Sequence, residues 1–374
     1  MSVKTKELEG DSRQGFPHHM LKEIYEQPKV LEATLASMLE GTRAAEMLGV
    51  DAAFARQIQR IELVACGTSW HAALIARRAI EELVGIPTTA DIASEYRDWP
   101  RRPREGTLAI AITQSGETTD TLEALRAAKR TGYRTGAICN VRGSTIAREA
   151  DGALFTLAGT EVAIASTKAF TCQVAALLAT AIALGRLRGS MDSARERAVV
   201  QALESAPRMV QGILQANAAI AKEIAREQSE PQTFFYLGRG YGHPVALEGA
   251  LKLKETSYIH AEAYPSGEFR HGPIALISHG IPVVAVAARS RQLDKILANL
   301  EDVREKGGTV IAVGTEDGAL SKAADRILPI GEIDEVAMPL LASVPLQLLA
   351  YELAVARGRE VDSPRNLSKA VTGN

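Results

Sequence analysis

Cysteine is scarce in this sequence, and its spacing excludes two kinds of stabilised fold. The three cysteines, Cys66, Cys139 and Cys172, lie far apart and form no Cys-x-x-Cys pair. A disulfide framework and a cysteine zinc cage are therefore excluded, and a reduced, cytoplasmic compartment is expected. The histidines show no metal-ligand spacing, so the sequence predicts neither a metal nor another cofactor.

An excess of charge of one sign is also lacking. The formal net charge is -2, from 43 Lys and Arg against 45 Asp and Glu. This balance argues against a nucleic-acid partner bound through bulk electrostatics, although it leaves a local basic patch open. No uninterrupted apolar run approaches the ~18–20 residues that a membrane-spanning helix needs. The polar N-terminus lacks the apolar core of a signal peptide, so a soluble protein without a membrane partner is expected.

Strand-like and helix-like runs alternate along the chain, whose 374 residues suffice for two domains. Strand-like runs at residues 61–66 and 107–112 each precede a helix-like run, and residues 170–187 read as a buried helix. This alternation predicts parallel βαβ units with helices on both faces of a sheet. Near the N-terminus, residues 20–47 carry helical periodicity that Pro28 interrupts, which predicts one or two helices.

The second half of the chain repeats the first. Residues 280–308 match residues 106–132, because each segment has an apolar strand followed by a helix that ends near glycine. Residues 234–242 and the helix-like run after them mirror the unit that starts at residue 61. The sequence therefore predicts an α/β fold of two tandem domains, each a doubly wound parallel sheet, joined near residues 188–210.

Hydroxyl side chains crowd the end of one predicted strand. The run LAIAITQSGETTDTLEAL (108–125) passes from five apolar residues into Thr113, Gln114, Ser115 and Thr118, at the start of a helix. Ligands of open α/β sheets bind at such strand ends, and helix N-termini attract anions. A single helix cap needs only one such residue, so the cluster favours a phosphate site. The matching positions of the second half, residues 287–292, lack this cluster.

Several motifs resemble one family. CGTS (66–69), TQSGETTDT (113–121), ASTKAFT (165–171), LEGALKLKETSYIHAEAYPSGEFRHGP (247–273) and PRNLSKAVT (364–372) are similar to the isomerase half of the glucosamine-6-phosphate synthases, which belong to the sugar isomerase (SIS) superfamily. The resemblance implies two tandem SIS domains. It also implies the substrate-binding residues Thr68, Ser69, Thr113, Gln114, Ser115, Thr118, Ile164 and Ser166. Two of these depart from the family by one methyl group, since Thr113 replaces its usual Ser and Ile164 its usual Val.

Three charged residues share one face of a predicted helix. Glu248, Lys252 and Glu255 are spaced i, i+4 and i+7, and their neighbours in the sequence are largely apolar. Such spacing commonly forms a solvated ion-pair stripe, but carboxylates on a buried helix are candidates for acid–base chemistry. The resemblance implies that Glu255 moves the proton between C1 and C2 of the sugar. It assigns Glu248 and Lys252 to supporting that base and orienting the hydroxyls.

Two further residues acquire a role only through the resemblance. His271, in an Arg-His-Gly-Pro run, would open the sugar ring, and the family supplies this histidine from the neighbouring subunit of a homodimer. Lys369, near the C-terminus, would form a Schiff base with the open-chain ketose. An amine reacts in this way only when unprotonated, so closure of the tail must favour its neutral form.

The implied activity leaves several alternatives open. The family begins with a glutaminase domain that this sequence lacks, so the chain is expected to be either a piece of a longer enzyme or a stand-alone enzyme that does not use glutamine. It would interconvert fructose 6-phosphate plus ammonia and glucosamine 6-phosphate, with ammonia from a separate glutaminase or as a deaminase. The alternative is a non-catalytic sugar-phosphate sensor, which would need the phosphate loops but not Glu255, His271 and Lys369 together.

These features divide the chain into four predicted parts. They are an N-terminal tail with helices (1–48), a phosphate-binding SIS domain (49–190), a SIS domain with the catalytic helix (191–358) and a C-terminal tail over the site (359–374).

Overall fold

The computed structural model describes residues 13–100 and 102–372. Part of the predicted N-terminal tail, residues 1–12, and the last two residues of the predicted C-terminal tail lie outside this range. Two five-stranded sheets, both entirely parallel, form the framework, and helices flank them. This architecture confirms the predicted α/β fold with two similar sheets in tandem.

The first half of the chain builds one sheet, whose strand order is β2-β1-β3-β4-β5. Its elements are α1 (His19–Met38), α2 (Arg43–Met47), α3 (Ala52–Gln57), β1 (Arg60–Ala65), α4 (Gly67–Leu83), β2 (Thr88–Ile92), α5 (Ala93–Asp98), β3 (Thr107–Ile112), α6 (Thr119–Arg130), β4 (Arg134–Cys139), α7 (Thr145–Glu149), β5 (Gly152–Phe155) and α8 (Lys168–Arg188).

The second half builds the other sheet, in the order β7-β6-β8-β9-β10. Its elements are α9 (Ser193–Glu227), β6 (Thr233–Gly238), α10 (Gly242–Ser257), β7 (His260–Pro265), two short 3-10 helices (Glu268–His271 and Pro273–Leu276), β8 (Pro282–Val286), α11 (Leu293–Glu305), β9 (Thr309–Gly314), α12 (Gly318–Ala323), β10 (Arg326–Pro329) and α13 (Met338–Ala356).

The two sheets share one topology, which confirms the internal repeat. In each sheet the first strand of the half lies between the second and the third, and the later strands follow on one side. The chain therefore adds β2 on one side of β1 and the later strands on the other side. There β3 pairs with β1 in parallel, from Arg60 with Thr107 to Ala65 with Ile112. Loops that leave two such strands diverge and open a crevice at their carboxyl ends, where α/β proteins bind ligands.

Mostly apolar sequence explains the central strands, although β1 also buries Glu62. All six residues of β3 are buried, and five of the six in β1 are. Strands covered by helices on both faces need apolar side chains at every position rather than at alternate ones. The strand predicted at residues 107–112 coincides with β3 for this reason.

One prediction about a helix needs correction. Pro28 does not break the first helix, because α1 runs continuously from His19 to Met38 and packs against α8 and α9. That packing offsets the hydrogen bond that an internal proline removes. The helical periodicity is interrupted instead at residues 39–42, between α1 and α2.

The buried helix predicted at residues 170–187 is confirmed as α8. By length and composition alone, α8 and α13 are apolar enough to cross a membrane, although 89% of the most apolar stretch in each is buried inside the protein. Both helices belong to the main hydrophobic core, which contains residues of both halves. Burial in this core accounts for their composition.

Candidate active site

A cavity of about 330 Å³ opens at the carboxyl ends of β1 and β3. Elements from both halves and from the C-terminal segment enclose it. A larger cleft, of about 470 Å³, lies between α1 and α9 and is lined by other residues. The smaller cavity is lined by Cys66, Gly67, Thr68, Ser69, Ile112, Thr113, Gln114, Ser115, Thr118, Thr121, Ile164, Ser166, Lys252, Glu255, Leu367, Ser368, Lys369, Ala370 and Val371.

The structure brings together most of the site residues predicted from sequence. All eight predicted substrate-binding residues line the cavity, as do Lys252, Glu255 and Lys369. Glu248 lies behind Lys252, with 1% of its surface exposed. His271 is exposed on the first 3-10 helix and is not among the described residues that line this cavity.

The loop between β3 and α6 turns its hydroxyls towards one another. Oγ1 of Thr113 lies 3.2 Å from Oγ1 of Thr118 and accepts a hydrogen bond from the Gly116 N–H at 3.3 Å. Thr118 precedes α6, yet among the described residues its hydroxyl makes no capping bond to that helix. Ordinary helix capping therefore does not explain Thr118, and its hydroxyl remains oriented within a cavity at a helix N-terminus.

Gly116 makes this tight loop possible. Its φ of +73° falls in the left-handed region, and a Cβ at this position would lie 2.2 Å from Oγ of Ser144. A side chain is thus excluded both by the backbone conformation and by space. The glycine lets the loop between β3 and α6 pack against the start of α7.

A buried ammonium lies between two carboxylates on α10. Nζ of Lys252 is 2.6 Å from Oε2 of Glu255 and 3.4 Å from Oε1 of Glu248. Burial alone would lower the pKa of Lys252, but the two carboxylates outweigh it and hold the pKa above its usual value. Lys252 therefore carries a positive charge at the cavity.

The two carboxylates of α10 have different surroundings. Glu248 accepts a hydrogen bond from Oγ1 of Thr68 at 3.0 Å and lies 2.7 Å from Nδ1 of His71, so both of its oxygens are engaged. The side chain of Glu255 is 21% exposed and lines the cavity. Of this pair, Glu255 is the carboxylate able to contact a ligand, whereas Glu248 holds Lys252 and the loop after β1. His71 was not predicted from sequence.

The C-terminal segment forms one side of the cavity. Residues 367–371 line it, and the N–H of Thr119 at the start of α6 donates to the carbonyl of Val371 at 3.2 Å. Nζ of Lys369 donates to Oε2 of Glu161 at 2.6 Å and to the carbonyl of Ala163 at 2.7 Å. The lysine predicted to be catalytic is therefore held at the cavity by two defined acceptors.

Glu161, like His71, was not predicted from sequence. It is a buried carboxylate in the loop between β5 and α8, just ahead of Ile164 and Ser166. The available signal was a single acidic residue in an otherwise uncharged stretch, AGTEVAIAST (158–167).

Among residues 13–100 and 102–372, no group of three or more His, Cys, Asp or Glu side chains is arranged to hold a metal ion.

Comparison with known proteins places this chain in a family. The SIS domain model matches residues 55–183 and 229–357, one match for each sheet, so the chain belongs to the SIS domain family. Within that family it is similar to the glutamine–fructose-6-phosphate aminotransferase [isomerizing] of Thermus thermophilus, with 45% identity over 366 residues, 98% of this chain and 60% of that protein. The corresponding protein of Symbiobacterium thermophilum is 46% identical over 364 residues, 96% of this chain and again 60% of that protein. The chain thus spans about 60% of the length of the curated relatives it matches.

Solved structures support the same relationship. The C-terminal domain of glucosamine-fructose-6-phosphate aminotransferase from Francisella tularensis aligns with a TM-score of 0.89 and 38% identity, over 94% of this chain and 100% of that one. A glucosamine-6-phosphate deaminase from Thermotoga maritima aligns with a TM-score of 0.75 and 26% identity, over 95% of this chain and 100% of that one. The chain is therefore homologous to the isomerase part of these aminotransferases, as its motifs predicted.

Proposed function

We propose that this protein is an isomerase of amino-sugar phosphates that interconverts fructose 6-phosphate plus ammonia and glucosamine 6-phosphate. The observation that carries the proposal is that Lys369, Glu255 and Lys252 line the same cavity as the hydroxyl loop. A sugar phosphate bound there would have a nucleophilic amine, a carboxylate base and a fixed positive charge within reach.

The phosphate would bind at the loops that follow β1 and β3. Two helices begin there, α4 at Gly67 and α6 at Thr119, and their first N–H groups attract an anion. Ser69, Ser115 and Thr118 add hydroxyl donors to the same cavity. The predicted domain from residue 49 to residue 190 would thus supply the phosphate site.

The chemistry would take place between the tail and α10. The unprotonated amine of Lys369 attacks C2 of the open-chain ketose, and loss of water gives an imine that is a better electron sink than the carbonyl. Ammonia then displaces the lysine nitrogen from this imine, which releases the amine of Lys369 and leaves the new nitrogen on C2. Glu255 next moves a proton from C1 to C2, while the ammonium of Lys252 orients the sugar hydroxyls, and C2 keeps the nitrogen that glucosamine 6-phosphate carries there. The predicted domain 191–358 and the tail 359–374 would supply these groups.

His271 would complete the site from a second subunit. Its exposed position outside the cavity of its own subunit is compatible with donation to the cavity of a partner in a homodimer. As the acid–base that opens the sugar ring, it would act before the lysine does.

The relatives favour the isomerase of a synthase over a deaminase. The synthase domain of known structure aligns more closely than the deaminase, in both identity and TM-score. In the synthetic direction the ammonia would come from a glutaminase, and in the other direction the enzyme would release it. A non-catalytic sensor is disfavoured because it has no use for an amine and a carboxylate at the cavity.

The three cysteines are free thiols, which fits a proposed cytoplasmic location.

Three assays with the purified protein test this proposal. With fructose 6-phosphate and an ammonium salt, the protein should form glucosamine 6-phosphate; with glucosamine 6-phosphate alone, it should release ammonia if it is a deaminase. Interconversion of fructose 6-phosphate and glucose 6-phosphate would report the isomerase chemistry without ammonia. Binding of fructose 6-phosphate without any of these conversions would support the sensor instead.

A further inference from the structure

Glu161 is a buried carboxylate at which four hydrogen bonds converge. Oε2 accepts from Nζ of Lys369 at 2.6 Å and from Oγ of Ser166 at 3.0 Å, and Oε1 accepts from the N–H groups of Thr167 at 2.9 Å and Ala169 at 3.1 Å. Its side chain has no exposed surface. Burial opposes its ionisation, but the ammonium of Lys369 and the N–H donors outweigh burial and lower the pKa of Glu161. Glu161 is therefore ionised where an unpaired charge would be costly.

A second buried carboxyl, Glu23 of α1, supports the same loop. Its Oε1 accepts from the N–H of Val162 at 2.5 Å and from that of Ala163 at 3.3 Å. Burial, with the neighbouring charge of Glu161, raises the pKa of Glu23 to about 8. At neutral pH Glu161 is therefore the ionised member of this pair, and Glu23 is the protonated one. Glu23 fixes the backbone of Ala163, whose carbonyl is the second acceptor for the Lys369 amine.

The segment that carries Lys369 has little regular structure of its own. Residues 359–372 contain neither helix nor strand. A lysine side chain loses rotamer entropy when it is fixed, so a reactive lysine on such a segment needs a partner that holds it. Glu161 and the Ala163 carbonyl meet this need, because both contact Nζ itself.

We infer that Glu161 is the positioning residue for Lys369, holding its amine at the cavity before the sugar binds. The inference rests on the proposed function, in which that amine attacks C2. Before the attack, one proton passes from Nζ to solvent water, and the hydrogen bond to Glu161 is exchanged for a bond to C2. The two remaining amine protons end on the carbonyl oxygen, which departs as water when the imine forms, so the step needs no other reactant. Glu161 acts through Lys369 and is separate from the phosphate loop.

The substitution Glu161→Gln tests this role. Glutamine keeps the size of the side chain, and its carbonyl can still accept from Thr167 and Ala169, but the substitution removes the charge that holds the ammonium. Glu26→Gln is the matched control, since Glu26 is a carboxylate on α1 whose Oε2 pairs with Nζ of Lys168 at 2.7 Å rather than with Lys369.

The first readout needs no substrate. Trace acetic anhydride at about pH 7.5 labels free amines, and peptide mass spectrometry gives the labelling rate of Lys369. We expect that rate to rise about tenfold in the Glu161→Gln variant, because a charge-assisted hydrogen bond to the ammonium is lost. It should remain at the wild-type level in Glu26→Gln.

The second readout is turnover. We expect kcat to fall at least about tenfold in the Glu161→Gln variant while KM stays close to wild type, because the phosphate loops are untouched. Glu161→Asp retains the charge one methylene farther away, so it should recover part of kcat. If Glu161→Gln does not fold, Glu161→Asp is tested in its place. The labelling rate of Lys369 in Glu161→Asp should then lie above the wild-type rate but below the roughly tenfold increase expected for Glu161→Gln.

Two results would overturn the inference. One is a folded variant at position 161 with wild-type labelling of Lys369. The other is kcat that falls equally in Glu26→Gln. Failure of the proposed function looks different: the wild-type protein would then turn over no sugar phosphate, while labelling of Lys369 would still respond to Glu161→Gln.

Discussion

Thr68 and Glu248 join the two halves of the molecule at the site. Oγ1 of Thr68, in the first turn of α4, donates to Oε1 of Glu248 on α10 with a separation of 3.0 Å. Nζ of Lys252 donates to the same hydroxyl at 3.1 Å. One hydroxyl from the first half therefore connects a carboxylate and an ammonium of the second, so that the phosphate loops and the charged helix meet.

The first prediction follows from this junction. Thr68→Val keeps the shape of the side chain but removes one hydrogen bond from the buried carboxylate of Glu248 and one from the buried ammonium of Lys252. We expect a loss of about 1–3 kcal/mol in the free energy of unfolding, measured by urea denaturation. Thr42→Val is the control, because its hydroxyl bonds an exposed carboxylate, that of Glu46. Equal effects in the two variants would show that the junction contributes little.

The second prediction concerns the phosphate. In the Ser115→Ala, Thr118→Ala double variant, binding of fructose 6-phosphate should weaken by ~2–4 kcal/mol, from roughly two lost hydrogen bonds to a charged group. Calorimetric titration measures the affinity. Ser290→Ala, in the matching loop of the second half, should leave it unchanged. Normal affinity in a folded double variant would refute the assignment of the phosphate site.

The third prediction tests whether subunits share active sites. His271→Ala and Glu255→Gln should each be inactive as pure homodimers. In a mixed dimer, one of the two sites would regain both residues, so mixing the two proteins should restore part of the activity. Subunit exchange is verified first by labelling one protein. No recovery of activity after proven exchange would rule out sharing through His271.

The fourth prediction uses the pKa of Glu23. This pKa is raised from 4.5 to about 8 in the folded protein, chiefly by burial and next by Glu161. The folded protein therefore holds a proton that the unfolded chain releases, so the contribution of Glu23 to stability is complete below pH 4.5 and is lost as the pH rises to about 8. Glu23→Gln mimics the protonated form.

We accordingly expect the stability of Glu23→Gln relative to wild type to rise by roughly 2–4 kcal/mol between pH 4.5 and about pH 8. Denaturation at a series of pH values measures it. Glu32→Gln, at an exposed position of the same helix, should show a constant difference. A difference for Glu23→Gln that does not change with pH would mean that Glu23 is already ionised in the folded protein.

Much of the fold was predictable from local sequence, because its central strands are buried on both faces. The strand-like run at residues 107–112, which is apolar from Leu108 to Ile112, predicted both ends of β3 correctly. The edge strands were missed for the opposite reason. For β2 and β7 most positions are only partly buried, so neither shows a continuous apolar run. The predicted break at Pro28 was wrong because tertiary packing, which the sequence does not show, stabilises α1 on both sides of the proline.

The site was predictable where a residue type reveals its chemistry and not where a role depends on contacts. Hydroxyls at the end of a strand indicated the loop at Thr113 from composition alone. Glu161 carries no such signal, because its importance comes from Lys369, which lies 208 residues away in sequence. The role proposed for His271 rests on contacts between subunits, which a local sequence pattern does not encode.

Trapping of an imine at Lys369 tests the central claim most directly. Treatment of the protein with borohydride in the presence of fructose 6-phosphate should attach the reduced sugar phosphate covalently to Lys369, which peptide mass spectrometry identifies. Lys369→Arg keeps the positive charge but cannot form an imine, so labelling and isomerisation should both vanish while binding of the phosphate survives. Trapping on a different lysine, or full isomerase turnover in Lys369→Arg, would contradict the account and leave the C-terminal segment as a cover for the cavity.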